Sequence, residues 1–480
     1  MNIPAKLVPT TRGKEKLVDD EGFVYNFEKH SRDGKLKFWV CEKRFSVHKC
    51  SARAHTLGSA IVHKGGRHAQ HTVQAEQVEL RSIYASAKAR AVQSTEPSGN
   101  VAIAAMTSAS LSAQAASSCG LIERVVRSTR QKVLAAPVAP RRLEDIALTD
   151  NVRTYQPAQG GPPQPFVLYD SGFGDPHRII IMGSARGVEH LGMCSDWFCD
   201  GTFDVAPELF CQLYCVSGLR LGSCLPLLYA LLPGKAEDVY VRLFTAVRGL
   251  LPYGKLPTSC MMDFETAAHK AWKTCFPLAA LSGCLFHHGQ CIWRKIQACG
   301  LQQTYQSDAS FALACRKLMA IAFVPLGDAA RAFEELTDPL TGTLPDALVP
   351  VADYYEDTWI GRPTANGGRR APLYEHGLWG QYDRVLGGHS RTNNSTEASH
   401  QALQVMLGLK HPTTFRLIGE LKKQQQKIER RMEAMVAGNE PPRPRKKYRG
   451  ATANLERIVG SYAMRTMEEY LRGVAHNLGY

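Results

Sequence analysis

"DWFCDGTFDV", residues 196–205, is the stretch on which the reading of the fold turns. Trp197, Phe198, Cys199, Phe203 and Val205 suit a buried strand, yet Asp200 stands among them beside Gly201. Asp-Gly is a strong hairpin signal, and a turn at that point explains the acid without any function. A hairpin there leaves strands of only four or five residues and breaks an extended run. The other reading is a continuous strand that carries a carboxylate to a site, and it needs companion residues.

The surrounding sequence sets that strand in an α/β pattern. "PFVLYD", "HRIIIMGS", "LFCQLYCVSGL" and "CLPLLYALLP" read as further strands. "DVYVRLFTAVRGLL" places Val239, Leu243, Val247 and Leu250 at helical spacing; "TSCMMDF" is strand-like, "ETAAHKAWKTCF" helical and "ALSGCLFHH" a strand again. Three strands, then helix, strand, helix and strand, describe an α/β core over 161–300. Residues 301–390 read as a mostly helical insertion. Within 391–421, "NNSTEASHQALQVMLG" reads as a capped helix with Ala402, Leu403, Met406 and Leu407 placed to face a core.

Two further acids fall at telling positions. Asp263 ends "TSCMMD" just before a helix, where an N-cap is the structural explanation and the end of a sheet strand is the functional one. Glu397 follows Asn394 by three residues, the place of a capping-box acid. Each acid alone has a structural explanation. One on a first strand, one after a later strand and one on a distant helix together have the layout of a ribonuclease-H-like nuclease or transferase. In-line displacement at a phosphodiester is served by two Mg²⁺ or Mn²⁺ ions roughly 4 Å apart, and such hard cations take oxygen ligands. The sequence holds neither a Gly-rich phosphate loop nor a serine-nucleophile elbow, which leaves a nucleoside triphosphatase or an esterase unsupported.

Composition agrees with a polyanionic partner. The 480 residues are 44% hydrophobic and 21% charged, ordinary for globular domains, with a formal charge of +14 that attracts phosphate. "MNIPAKLVPTTRGKEK" lacks the apolar core of a signal peptide and no apolar run is long enough to span a bilayer, so an intracellular protein without membrane contact is expected. The 14 cysteines are accordingly read as reduced thiols, with Cys211, Cys215, Cys224 and Cys260 inside apolar runs.

The amino-terminal segment has a different character. Cys41 and Cys50 are separated by eight residues and His68 and His71 by two; two thiolates and two imidazoles suit tetrahedral zinc, against the alternative of scattered Cys and His. Phe23, Tyr25, Phe38, Trp39, Cys41, Cys50, "CSARA" and the closing histidines resemble the FLYWCH-type zinc finger over residues 17–73. The resemblance implies a small β-rich module with structural Zn²⁺ on Cys41, Cys50, His68 and His71, used to bind DNA or partners. The family closes with two histidines one residue apart, whereas two residues intervene here, which leaves His63 or His55 as alternative ligands. Lys43, Arg44, Lys49 and Arg53 are the expected phosphate contacts.

Residues 76–160 turn to Ala and Ser, suited to low-specificity helices or a mobile linker, and the break "YQPAQGGPPQP" places a domain boundary near residue 160. The last segment, 422–480, holds a basic stretch ending in "RPRKKYR" with Arg445, Lys446 and Lys447. It reads either as a solvated helix face or as a DNA-contacting or nuclear-import segment. The final helical pattern, "NLERIVGSYAMRTMEEYLRGVAHNL", is apolar enough for packing or self-association.

"DWFCDGTFDVAPELFCQLYCVSGL", "PLLYALLPGKAEDVYVRLFTAV", "MMDFETAAHKAWKTCFP", "GCLFHHGQCIWRKIQACGL" and "RTNNSTEASHQAL" resemble the Mutator-like element (MULE) transposases from about residue 166 to 409. The resemblance implies an α/β ribonuclease-H-like catalytic core with a helical insertion, preceded by the zinc module. It also implies Asp200, Asp263 and Glu397 as catalytic Mg²⁺ or Mn²⁺ ligands, with Glu375 a rival to the last. Cys284 and His287 fall in a Cys-x2-His motif near the active site, for which a buried, hydrogen-bonded pair is the structural alternative. His288, Trp293, Arg294 and Lys295 follow on a helix where the cations suit DNA phosphate and Trp293 suits packing. The expected partners are double-stranded DNA and further copies of the chain, in the nucleus. The alternatives are a domesticated, non-catalytic DNA-binding or chromatin protein and a protein–protein adaptor built on the finger.

Overall fold

The computed structural model describes residues 3–9, 15–68, 71–73, 75–94, 96–107, 109–133, 140–157, 160–338, 340, 342–439 and 446–478. The chain divides into two units, 1–138 and 139–480.

In the first unit, β1 (Ile3–Pro4), β2 (Lys6–Pro9), β3 (Glu15–Val18), β4 (Val24–His30), β5 (Leu36–Cys41), β6 (Arg53–Leu57) and β7 (Ala60–Gly65) form one antiparallel sheet in the order β1-β7-β6-β5-β4-β3-β2. Only Ala5 separates β1 from β2, which lie on opposite edges, so the sheet curls until its edges nearly meet. Inside the curl are Leu17, Tyr25, Trp39, Ala54 and Ile61, with Trp39 Nε1 donating to Thr56 Oγ1 at 2.9 Å. The Ala/Ser-rich segment then builds α1 (Ala75–Gln93), α2 (Ser98–Met106), α3 (Leu111–Ala115) and α4 (Cys119–Val133). Ala87, Ala91, Ala102, Ala105 and Ala113 let these helices approach closely around Leu80, Ile83, Ile122 and Val126.

The second unit opens with α5 (Asp150–Arg153) and the short hairpin β8 (Thr154–Tyr155) and β9 (Gln164–Pro165). The Pro/Gly break near residue 160 therefore forms the hairpin's connection, and the two units part earlier, at 138/139. Next come β10 (Val167–Asp170), β11 (Ile180–Gly183), α6 (Ala185–Gly192), β12 (Asp196–Thr202), β13 (Gln212–Arg220), β14 (Ser223–Leu232), α7 (Glu237–Leu250), β15 (Ser259–Met262), α8 (Thr266–Cys275) and β16 (Ala280–Gly283). The sheet order is β10-β11-β14-β13-β12-β15-β16. β12, β13 and β14 pair antiparallel, while β15 runs parallel to β12 and β16 parallel to β15. The β13–β14 hairpin turns at Leu221 and Gly222, both at positive φ (49° and 72°), as a two-residue primed turn requires.

Alternation along β12 assigns the layers. Trp197 faces α8, its ring 6.0 Å from Trp272, and Val239, Leu243, Phe244 and Val247 of α7 join that layer. Asp200, on the other face, meets α16 (see below). "ALSGCLFHH" is a strand only to Gly283: Cys284 caps α9 (Leu285–Ala298), which carries both histidines.

The segment 301–390 holds α10 (Gln302–Ser307), α11 (Ala309–Ala320), α12 (Ala329–Thr337), α13 (Val349–Tyr355), α14 (His376–Trp379) and α15 (Tyr382–Leu386). α16 (Asn394–Leu407) and α17 (Thr414–Val436) pack against the sheet through Leu403, Leu407, Leu417, Leu421 and Met432. Of the four α16 residues expected inward, Leu403 and Leu407 are buried, Met406 is half-buried and Ala402 exposed. α17 is not a freely solvated basic helix: Gln425 and Glu429 are buried, and Gln425 Nε2 donates to Ser184 Oγ at 2.8 Å. α18 (Lys446–Gly460) and α19 (Met467–Asn477) return to the helical layer, burying Ile458, Val459, Tyr470 and Val474 with Phe311, Leu318 and Phe323. Of the two readings of this apolar stripe, packing or self-association, the structure shows packing within the chain. No described cysteine is bridged, but Cys211 is exposed and Cys224 only half-buried, because the pairing that buries Cys215 and Cys260 leaves Cys211 outside β13.

Candidate functional site

β12 runs unbroken through Asp200 and Gly201, which pair with Cys215 and Tyr214 of β13, so no turn lies at Asp-Gly. The glycine has a packing reason instead. A Cβ on Gly201 would collide with Oε1 of Gln212, whose amide donates to the Tyr240 hydroxyl at 2.7 Å.

Parallel pairing of β12 with β15 sets Phe198 opposite Met261. Two residues on from that pair stand Asp200, still within β12, and Asp263, one residue past the end of β15, and their charges repel one another. Asp263 is not a helix cap; α8 begins after Glu265, and Asp263 Oδ1 instead accepts the Phe264 amide at 2.6 Å. The third acid comes from α16. Asn393, rather than Asn394, occupies the N-cap without a side-chain capping bond, so Glu397 belongs to no capping box. Asn393 fixes the helix start: its amide donates to Cys284 Sγ at 3.3 Å and its Nδ2 to the Cys199 carbonyl at 3.4 Å.

His287 stands between the acids, Nδ1 3.9 Å from Asp263 and Nε2 3.8 Å from Glu397. Cys284, His287 and Glu397 offer ligand atoms all within 4.8 Å of one another. His400, one turn beyond Glu397, places Nδ1 3.4 Å from Asp200 Oδ2. Lys235 reaches the same rim, 4.2 Å above the Phe203 ring and 3.5 Å from Glu265. Neither His400 nor Lys235 was read from the sequence as a site residue. The i, i+3 relation of Glu397 and His400 on one helix face was the available signal for His400.

The cluster is electrostatically frustrated without a cation. Burial, then the charges of Asp263 and Glu397, push Asp200 up to about 8; burial and Asp263 also raise Glu397. Burial lowers His400 to about 4, keeping it neutral, and lowers His287 against the pull of Asp263. Glu397 Oε1, His287 Nδ1 and His400 Nε2 are buried without hydrogen-bond partners. Mutually repelling carboxylates beside unpaired polar atoms favour a positively charged ligand there, while the donors that cluster within reach of a single ion are those of Cys284, His287 and Glu397.

Of the other expected residues, Arg294 lies close enough for its charge to lower His287. Glu375 is exposed and pairs with Lys273 at 3.8 Å, away from the acids. Arg294 is exposed on α9, Lys295 sits 5.9 Å from the Tyr354 ring, and Trp293 packs on Tyr305 with centroids 5.0 Å apart. His288 is fully buried among Trp359, Trp379 and Tyr355, and burial drives it down to about 3. Arg445 and the side chains of Lys446 and Lys447 lie outside the described residues.

In the first unit, Cys41 ends β5, Cys50 precedes β6 and the two histidines follow β7. Cys41 Sγ lies 3.4 Å from His71 Nε2, Cys50 Sγ 3.4 Å from His68 Nδ1, and the two imidazole nitrogens 3.2 Å apart. Ligand atoms at zinc distances on a tetrahedron stand roughly 3.3–3.7 Å apart, so the four donors fit one Zn²⁺. The remaining nitrogen of His68 meets the Tyr25 hydroxyl at 2.8 Å, and that hydroxyl donates to Asp19 at 2.9 Å. This outer carboxylate orients the imidazole. Phe23 stacks on His68 with centroids 3.7 Å apart. His55 and His63 face each other across β6 and β7, 4.7 Å apart, outside this cluster.

Residues 7–71 match the family model of the FLYWCH zinc finger domain, and residues 197–290 that of the MULE transposase domain. The chain carries a FLYWCH zinc finger and a MULE transposase domain. The finger match contains all four clustered donors, and the MULE match contains Asp200, Asp263, Cys284 and His287 but ends before Glu397 and His400. Searches of curated proteins and of solved structures return no match. No helix among the described residues is long and apolar enough to cross a membrane.

Proposed function

We propose that this protein is a nuclear DNA transposase of the Mutator-like type, in which the finger binds element ends and the second unit cuts and joins strands. The observation that carries the reading is the electrostatic coupling of Asp200, on β12, to Asp263, just past the end of the parallel neighbour β15, and to Glu397 on α16. The strand order β14-β13-β12-β15-β16, with its last two strands parallel to β12, supports a ribonuclease-H-like core.

Asp200, Asp263 and Glu397 would hold Mg²⁺ or Mn²⁺, which when bound supplies activation of the attacking oxygen and stabilisation of the leaving oxygen in an in-line displacement. The chain's own residues prepare that place. β12 carries Asp200, and the end of its parallel neighbour β15 delivers Asp263. Asn393 ties the third to the same sheet through Cys199 and Cys284. His287 stands between Asp263 and Glu397, His400 faces Asp200, and Lys235 offers a cation at the rim for a phosphate. Zn²⁺ on Cys41, Cys50, His68 and His71 would fix the finger.

The test uses DNA flanking the gene, incubated with wild type or Asp263→Asn, with Mg²⁺ or EDTA, and followed for binding and cleavage. Metal-dependent cuts at terminal repeats, absent from the variant, are expected; retained cutting by Asp263→Asn refutes the assignment. Zinc-dependent binding with no cuts by wild type supports the domesticated DNA-binding reading instead.

A further inference from the structure

The two cysteine donors of the finger bracket an unusual loop, "EKRFSVHK", residues 42–49. It is a run of tight turns: Arg44 N donates to Cys41 O at 3.0 Å, Ser46 N to Lys43 O at 3.2 Å, and Lys49 N to Ser46 O at 3.1 Å. The Ser46 hydroxyl braces it by accepting the His48 amide at 3.2 Å, and the Lys43 amide reaches Cys41 Sγ at 3.4 Å. Lys49 closes it at a positive φ of 42°. Both ends are thereby tied to the zinc cluster, and a loop of this kind keeps its shape without a core of its own.

Its outer side is apolar at the tip and cationic around it. Phe45 is 88% and Val47 90% exposed. Arg44 lies 5.8 Å from the Phe45 centroid, with Lys43 and Lys49 on either side in sequence. Its one acid, Glu42, is turned away and held by Lys16 at 2.8 Å and Arg81 at 3.0 Å, so the free charge of the loop is positive. Two exposed apolar side chains on a braced loop, rimmed by cations, offer a contact surface. Here the ring of cations narrows the partner to a polyanion with apolar surface between its charges, which describes a DNA groove.

We infer that the 42–49 loop is the element by which the finger reads DNA sequence: Phe45 and Val47 contact base edges or thymine methyls while Lys43, Arg44 and Lys49 hold the flanking phosphates. This rests on the proposed DNA-end binding of the finger and adds the surface that performs it.

The test is selection by the full-length, zinc-loaded protein from duplexes with a randomised centre, followed by salt titration of binding. Both apolar side chains are exposed, so Phe45→Ala/Val47→Ala is expected to keep its zinc content and fold. It should bind the enriched sequence about tenfold more weakly and lose the preference, while keeping its salt dependence. Lys43→Ala/Arg44→Ala/Lys49→Ala should weaken all duplexes alike and reduce the log–log salt slope by about three. Unchanged enrichment by the Phe45/Val47 variant overturns the inference and leaves the transposase reading standing. Absence of duplex binding by wild type overturns both. Unchanged enrichment together with loss of self-association, seen by light scattering, makes the loop a protein-docking surface and overturns the inference.

Discussion

His400 Nδ1 lies 3.4 Å from Asp200 Oδ2, linking α16 to β12 of the sheet. The imidazole is largely buried and neutral, its Nε2 has no hydrogen-bond partner, and its Nδ1 faces the carboxylate. Outer groups that orient a metal-binding carboxylate typically contribute about 10- to 100-fold in metal affinity or activity. We predict that His400→Ala lowers Mg²⁺-dependent cleavage by about that factor and leaves finger-mediated DNA binding unchanged, measured on the same DNA by parallel cleavage and gel-shift assays. Equal cleavage by both proteins would show that the contact positions nothing.

The raised pKa of Asp200 has a consequence for stability. An acid whose folded pKa, about 8, exceeds its ordinary value of 3.8 binds its proton more tightly in the folded state. Folding stability then falls as pH climbs between those two values. In magnesium-free buffer, wild type should therefore lose melting temperature relative to Asp200→Asn from about pH 5 to about pH 8, with added Mg²⁺ stabilising wild type most at the upper end. A pH-independent gap between the two proteins would contradict the buried, mutually repelling carboxylates.

Tyr25 couples the finger's outer carboxylate to its metal ligand, with contacts of 2.9 Å to Asp19 and 2.8 Å to His68. Tyr25→Phe keeps the ring in the core and all four donors in place. It should lower zinc affinity about 10- to 100-fold, read by competition with a chromophoric chelator, without preventing folding when zinc is abundant. An unchanged affinity would assign Tyr25 to packing alone.

Local pattern carried much of the sheet and the acids into view from sequence. Val239, Leu243 and Val247 repeat at helical spacing because α7 covers one face of the sheet, and Asp200 interrupts an apolar run because its strand faces two ways. What lay out of reach was long-range. Nothing near Tyr470 says that α19 packs on α11, more than a hundred residues upstream. The capping readings of Asp263 and Glu397 failed for a related reason. Local rules place Asp and Glu at helix starts, but Glu265 and Asn393 took those positions and left the two acids facing the sheet end. His400 was missed because a histidine on an amphipathic helix is unremarkable until its neighbour across space is known.

Gly201 tests the other half of the Asp-Gly pair. In a hairpin the glycine would be needed for its backbone; in the observed strand it is needed because the Gln212 side chain fills the place of a Cβ. Gly201→Ala must displace that amide and break its 2.7 Å bond to Tyr240, an overpacking that costs about 1–3 kcal/mol. The displaced strand residue adjoins Asp200, so cleavage should fall as well. Gln212→Ala removes the obstructing atoms, and the double variant should recover part of the stability lost by Gly201→Ala, giving a favourable coupling in a double-mutant cycle read by chemical denaturation. Strict additivity of the two losses would mean that the glycine is required by its backbone rather than by the room it leaves for Gln212.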